Sequence, residues 1–265
     1  MRGYDQAILD LDGCVWVGEQ PTPGAVEAIV ALREAGKRVA FVTNNPRRAT
    51  EDYVQKLWAI GVQASVADVV TVGGALQHLL ADTRGGMTAF AIGTEPLRRH
   101  VHDAGVKVLN HTDLATRAEI VVVAGTDDLV YDDLRVATLA LNRGADFLAT
   151  SRDPTHPMSD GLWPGTGAIV AALEYATGRS AAIVGKPEPQ LMITALDRLG
   201  EGRTLVVGDR LDTDVAAAAA ARLDAALVLT GGTSRAEVEA MAAGDPRPVA
   251  VADSLADLVL DGGGG

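Results

Sequence analysis

Residues 7–16 read AILDLDGCVW, and the way this stretch ends decides how the chain folds. The apolar run Ala7-Ile8-Leu9 has the pattern of a buried strand. It stops on two aspartates, Asp10 and Asp12, followed by a glycine turn at Gly13. Alternate residues of a strand face the same side, so both carboxylates lean toward one place where the strand stops. Two carboxylates so crowded repel each other and invite a cation. They also allow a division of labour, in which one attacks phosphorus and the other handles protons. An acidic turn before glycine is common in solvated loops, so the motif takes its weight from its company.

Outward from this stretch, short β-rich runs alternate with helical patterns. The runs are 7–11, 39–43, 89–92, 120–124, 147–150, 182–184, 205–207 and 226–229, with amphipathic stretches such as 25–35 and 132–143 between them. That alternation predicts an α/β fold: a Rossmann-like, doubly wound parallel sheet with crossover helices. In such sheets ligands bind outside the carboxyl ends of the strands. Here several strands end in polar groups: Asp10, Thr43-Asn44-Asn45, Asp209 and Thr230. Residues 76–181 carry strands and helices of their own without these motifs. Residues 1–75 and 182–265 are therefore expected to form the catalytic core, and 76–181 an inserted α/β cap that closes over the site and sets specificity; insertion is tolerated because the chain ends of a domain often lie close together. The tail Gly262–Gly265 is expected to be disordered.

Composition narrows the classes. The 265 residues are 48% hydrophobic, enough for a full core, and the formal net charge is −12. There is no basic footprint for nucleic acid or for an anionic membrane. An anionic substrate must then be captured locally, by helix N-termini, a few cationic side chains and a bound metal. The single cysteine, Cys14, excludes an internal disulfide. With no histidine near it in sequence, Cys14 reads as a small buried filler rather than a nucleophile. No apolar leader or membrane-spanning run is evident, and the expected location is the cytoplasm.

Three further tracts carry chemistry. VTNNPRR, 42–48, ends a strand with a hydroxyl, two amides and exposed N–H groups suited to a phosphate; taken alone it is equally an N-cap. The paired Arg47-Arg48 reads as a solvated helix start. IVGKPEP, 183–189, holds Lys186 near a strand end, where a fixed ammonium serves a nucleophile and a phosphate charge together; alone it is equally a surface lysine. VVGDRLDTDV, 206–215, places Asp209 at a strand end with Asp212 and Asp214 within one turn. Carboxylates so placed suit Mg²⁺, which takes hard oxygen ligands. Asp212 is assigned to capping the alanine-rich helix, whose six alanines, 216–221, predict close packing on the sheet.

With these four tracts in this order, the chain resembles the haloacid dehalogenase superfamily of phosphohydrolases. TNN, PGTGA, GKPEP and GDRLDTD are similar to the branch with a large inserted cap. That branch acts on 4-nitrophenyl phosphate, glycerol phosphate, phosphoglycolate, nucleotides and pyridoxal phosphate. The resemblance implies Mg²⁺-dependent hydrolysis of small phosphorylated metabolites. Asp10 is then the nucleophile that forms an aspartyl-phosphate, and Asp12 the acid and base. Thr43 and Asn44 bind the phosphoryl group, with Asn45 beside them, and Lys186 stabilises its charge. Mg²⁺ is held by Asp10, the Asp12 carbonyl and Asp209, with Asp214 supporting. An aspartate at position 12 favours phosphatase or mutase chemistry over dehalogenation or ion transport. A homodimer through the cap is also compatible with the resemblance.

In the cap, RDPTHPMSDG (152–161) is similar to the run in vertebrate-type pyridoxal phosphate phosphatase, which implies a substrate contact for His156. A loop histidine between two prolines is the alternative. Many relatives have Asn-Pro-Asp where this chain has Ser151-Arg152-Asp153, and Arg152 offers a positive contact to an acidic substrate such as phosphoglycolate. Two rivals remain. One is a phospho-accepting signalling domain, disfavoured by Asp12, by the insertion and by length. The other is a phosphomutase, which no feature demands.

Overall fold

The structure, a computed structural model, describes residues 1, 3–46, 48–158 and 161–260. The chain divides into two compact units: Met1–Thr43, Thr50–Val70 and Lys186–Gly265 make one, and Asn44–Ala49 with Thr71–Gly185 the other.

The first unit is built on a six-stranded sheet in the order Ala250–Ala252, Asp224–Val228, Thr204–Gly208, Gln6–Asp10, Arg38–Thr43, Val69–Thr71. Leu9 pairs with Val207 on one side and Phe41 on the other, both in parallel register. All five residues of Gln6–Asp10 are buried, as a central parallel strand covered on both faces requires. From this strand the chain first builds one half of the sheet, and later returns to build the other. Gln6–Asp10 therefore stands at the switch point, where diverging crossovers open a crevice at the carboxyl ends. Helix Ala25–Glu34 buries Ala25, Ala28, Ile29 and Leu32, a stripe with the helical period. These residues join Trp16, Phe41 and Leu57 in one core, where each large aliphatic side chain contributes about 1.5–3 kcal/mol by burial.

The second unit has its own parallel sheet, ordered Ala182–Ile183, Asp146–Ala149, Ile120–Val123, Thr88–Ile92, Lys107–Val108. Its separate core includes Phe90, Val121, Leu141, Phe147 and Leu173. An antiparallel hairpin, Thr155–Met158 with Gly161–Pro164, accompanies it.

All eight strand runs read from sequence form strands, within a residue or two at their ends, and the stretches 25–35 and 132–143 form helices Ala25–Glu34 and Tyr131–Asn142. Three readings change. Ala182–Ile183 pairs with Asp146–Ala149 and so extends the second sheet, not the core; Val184 and Gly185 continue the pairing by donating to the Ala149 and Thr150 carbonyls. The stretch around His156, read as a loop, forms the hairpin. Of the helix Ala216–Ala220, only Ala217 and Ala218 are buried, so the packing on the sheet is confined to one edge of the alanine run. No helix among the described residues is long and apolar enough to cross a membrane.

Candidate active site

The first unit's sheet sets the site by where its strands stop. Gln6–Asp10 ends on Asp10, Thr204–Gly208 ends one residue before Asp209, and Arg38–Thr43 ends on Thr43. All three side chains are buried. After Asp209 the chain does not enter an α-helix at once. Leu211–Val215 is wound as a π-turn, with the Asp214 and Val215 N–H groups both donating to the Arg210 carbonyl at 3.0 and 3.2 Å. Such wide turns are rare and concentrate at functional sites. In this winding Asp214 turns back: its Oδ2 accepts the Arg210 N–H at 3.1 Å, and its Oδ1 accepts from Lys186 Nζ at 2.6 Å.

Lys186 also donates to Asp10 Oδ1. Its side chain is 4% exposed, against 6% for Asp10 and 2% for Asp214, so the surface-lysine reading fails. Oxygens of Asp10, Asp209 and Asp214 lie within 4.8 Å of one another. With every group ionised, one ammonium faces three carboxylates, an excess of two negative charges. Burial, above all, pushes the Asp10 carboxyl well above the usual carboxylate range; Lys186 pulls it down, and Asp214 and Asp209 push it up again. Burial likewise raises Asp209, against the pull of the Gly232 N–H. Burial also disfavours the Lys186 ammonium, but Asp10 and Asp214 together outweigh it and hold that group protonated. Uncompensated buried charge costs several kcal/mol per ion. Three hard oxygen donors with two charges in excess therefore fit a divalent cation such as Mg²⁺ or Ca²⁺.

Glycines make room for these carboxylates. Gly13 has φ +93°, and a Cβ there would stand 2.3 Å from Asp209 Oδ2; one on Gly231 would stand 2.0 Å from the same oxygen. Both distances are far inside van der Waals contact, so the glycine of the DLDG motif is needed twice over, for its backbone and for its missing side chain.

Asp12, unlike Asp10, is exposed. Its Oδ1 accepts the indole N–H of Trp16 at 2.8 Å, and its Oδ2 accepts the Thr43 hydroxyl at 3.3 Å. Trp16 is fully buried. Nothing in the sequence pattern assigned it a part in the site, and its place four residues after Asp12 is the only signal.

The structure thus gathers Asp10, Asp209, Asp214 and Lys186 into one cluster, with Asp12 and Thr43 joined to each other. Asn44 and Asn45, both half-buried, belong to the second unit. There Asn44 Oδ1 lies 2.6 Å from where a Cβ on Gly185 would stand. His156 lies on the hairpin strand opposite Trp163, and its side chain falls outside the described residues, as do Ser159, Asp160 and Arg47. Two expectations are corrected. Asp212 does not cap the alanine helix; both its oxygens accept from the Arg210 guanidinium, at 3.0 and 2.8 Å, which holds its carboxyl below the ordinary value. Arg152 is not an open cation: it makes a two-pronged pair with Glu174 at 3.1 and 2.8 Å and donates to the Ala181 carbonyl. Cys14 is buried, and burial foremost, then the nearby carboxylates, push its thiol up, which suits a filler and not a thiolate nucleophile.

A doubly wound α/β sheet with a carboxylate–lysine cluster at its switch point fits a protein that handles an anionic group beside a hard cation. Residues 7–107 match the model of the haloacid dehalogenase-like hydrolases, and residues 183–258 match a second model of the same superfamily. The chain is 37% identical to chronophin of Bos taurus over 278 residues, covering 97% of this chain and 93% of that protein. The chain belongs to the haloacid dehalogenase-like hydrolase family, among its phosphatases. It is also 40% identical over 232 residues to a D-glycerol 3-phosphate phosphatase of Mycobacterium tuberculosis, covering 87% of this chain and 64% of that relative's length. The crystal structure of a glycerol phosphate phosphatase from the same organism, in complex with magnesium, superposes with a TM-score of 0.89 at 38% identity, over 97% of this chain and 77% of that one.

Proposed function

We propose that the chain is a Mg²⁺-dependent phosphatase of small phosphomonoesters, working through an aspartyl-phosphate on Asp10, with glycerol 3-phosphate as its leading substrate. The observation that carries this reading is the buried Asp10, fixed at the switch point by Lys186 and grouped with Asp209 and Asp214. The substrate is carried by the likeness to the mycobacterial glycerol phosphate phosphatase.

The chemistry balances in two steps. A carboxylate oxygen of Asp10 attacks phosphorus, the bond from phosphorus to the ester oxygen breaks, and protonated Asp12 gives its proton to the departing alkoxide. Asp12, now a carboxylate, takes a proton from water; the resulting hydroxide attacks phosphorus, the Asp10–phosphorus link breaks, and phosphate leaves with Asp12 protonated again. Lys186 holds Asp10 in one orientation and, with the Thr43 hydroxyl, offers donors to the phosphoryl oxygens. Asp10, Asp209 and Asp214 are the residues to hold Mg²⁺. When bound, the ion supplies positive charge to oxygens that become more negative as phosphorus is transferred.

A second reading, pyridoxal phosphate as substrate, rests on the run 152–161 and on the hairpin that sets His156 opposite Trp163. Phosphoglycolate is less favoured, because Glu174 already neutralises Arg152. Phosphate release with Mg²⁺ across glycerol 3-phosphate, pyridoxal phosphate, phosphoglycolate, sugar phosphates and 4-nitrophenyl phosphate tests the reading. The highest kcat/KM is expected for glycerol 3-phosphate. A preference for pyridoxal phosphate, reduced selectively by His156→Ala, shifts the assignment to the second reading, and no release from any ester overturns both.

A further inference from the structure

Resting on the phosphatase reading above, we propose that Trp16 is a positioning residue for Asp12, and that Lys56 fixes Trp16 in that task. The segment that carries Asp12 is closed on itself: Val15 and Trp16 donate to the Leu11 carbonyl at 2.9 and 3.1 Å, and Gly13 donates to the Trp16 carbonyl at 2.7 Å. This closure returns the Trp16 ring beneath the aspartate, and its N–H reaches Asp12 Oδ1 at 2.8 Å.

The ring cannot easily move. It is fully buried in the first unit's core, and a buried indole N–H needs an acceptor. Lys56, on helix Thr50–Ala59, places its Nζ 4.3 Å from the ring centroid and donates to the Gly18 carbonyl at 2.6 Å. One ammonium therefore holds both the face of the indole and the chain that follows it. Asp12 itself is exposed, and an exposed aspartate otherwise samples several rotamers. The immobile donor selects one of them. The other Asp12 oxygen accepts the Thr43 hydroxyl at 3.3 Å, a longer and weaker restraint.

Placement of Asp12 matters most where the leaving group needs its proton. As the ester bond breaks, the alkoxide of an alkyl phosphate must take a proton from Asp12, whereas 4-nitrophenolate departs as a stable anion. Loosening Asp12 therefore penalises alkyl esters selectively. A loss of general packing lowers turnover of both alike. The parameter to read is kcat/KM, which ends at phosphoryl transfer to Asp10 and leaves out the later attack of water.

The experiment compares kcat/KM for 4-nitrophenyl phosphate and for glycerol 3-phosphate, or whichever alkyl ester the wild type uses best, in the wild type, Trp16→Phe and Lys56→Gln. Trp16→Phe keeps an aromatic ring and deletes the N–H. It should lower the alkyl ester by about ten- to a hundredfold, the scale of a misplaced catalytic group, and the aryl ester by no more than about threefold. Lys56→Gln should move the ratio the same way by a smaller factor, and it decides the matter if thermal unfolding shows that Trp16→Phe does not fold. An unchanged ratio in the folded variants, with the wild type active on both esters, overturns the role of Trp16 and leaves the phosphatase reading standing. A wild type that hydrolyses neither ester overturns the two together.

Discussion

The two units carry sheets made in the same way and ended differently. In the first, strands stop on Asp10 and Thr43, with Asp209 one residue past a third. In the second, Thr88–Ile92, Ile120–Val123 and Asp146–Ala149 run out into Gly93, Ala124 and Thr150, which carry no charge. Both sheets are covered by apolar cores, so burial accounts for each fold equally. The chemistry comes from what a few strand-end residues place at the carboxyl edge. Ion pairs differ in the same sense. Lys186, Asp10 and Asp214 are almost wholly buried, while Arg152 and Glu174 keep half and about a quarter of their side chains exposed. Buried charge of one sign in excess is costly unless a ligand completes it, whereas an exposed pair is complete already.

That contrast can be broken by mutation, and the largest effect belongs to Asp10, the proposed nucleophile. Asp10→Asn should reduce phosphate release by at least about 10⁴-fold while leaving the circular dichroism of the fold unchanged; near-normal turnover would remove Asp10 from the mechanism. Lys186→Met strands two carboxylates without their cation and should lower stability by about 3–5 kcal/mol, read from denaturant unfolding without metal, with much of the loss restored by millimolar Mg²⁺. If the variant is as stable as the wild type, the cluster is not the charge-strained centre described.

Metal and pH should act together on the first unit. Burial raises the Asp10 and Asp209 carboxyls, so the metal-free fold binds more protons than the unfolded chain in the window just above the ordinary carboxylate value. Their contribution to stability is therefore present at acid pH and lost as pH rises through the raised values. Mg²⁺ must expel those protons, so its affinity should rise with pH over the same window. At a hundredfold excess over its Kd it should add about 2.7 kcal/mol. Calorimetric titration from about pH 5 to about pH 8 measures this, and a pH-independent affinity would contradict it. The smallest effect falls on the second unit. Arg152→Ala should cost no more than about 1 kcal/mol in thermal unfolding, and should leave kcat for the preferred ester within about twofold.

Much of this contrast was legible in the sequence, and the illegible parts have physical causes. Largely apolar runs of three to five residues gave the eight strand positions read from sequence, because burial on both faces leaves a continuous pattern. The strand-end residues Asp10, Thr43 and Asp209 could be read for the same reason. The two-residue strand Ala182–Ile183 is too short for periodicity to assign it to a sheet; its place follows from pairing with Asp146–Ala149. The hairpin 155–164 contains Pro157 and Pro164, which argue against a strand except at an edge. Asp212 looked like a cap because the helix was expected to begin there; the π-turn Leu211–Val215 moves that start and leaves Asp212 to Arg210. Trp16 carried the weakest signal of all, since a core aromatic and a hydrogen-bond donor are the same letter.

The central claim is that a phosphoryl group passes through Asp10. Rapid acid quench of the Asp12→Asn variant mixed with its best substrate and Mg²⁺, followed by peptide mass analysis, tests it most directly. Loss of the proposed acid/base group should slow breakdown of the acyl phosphate, so the peptide spanning Asp10 is expected to carry one phosphoryl group, absent when Asp10→Asn is added to the same chain. Steady turnover with no phosphorylated peptide, or with the group on another residue, would contradict the account.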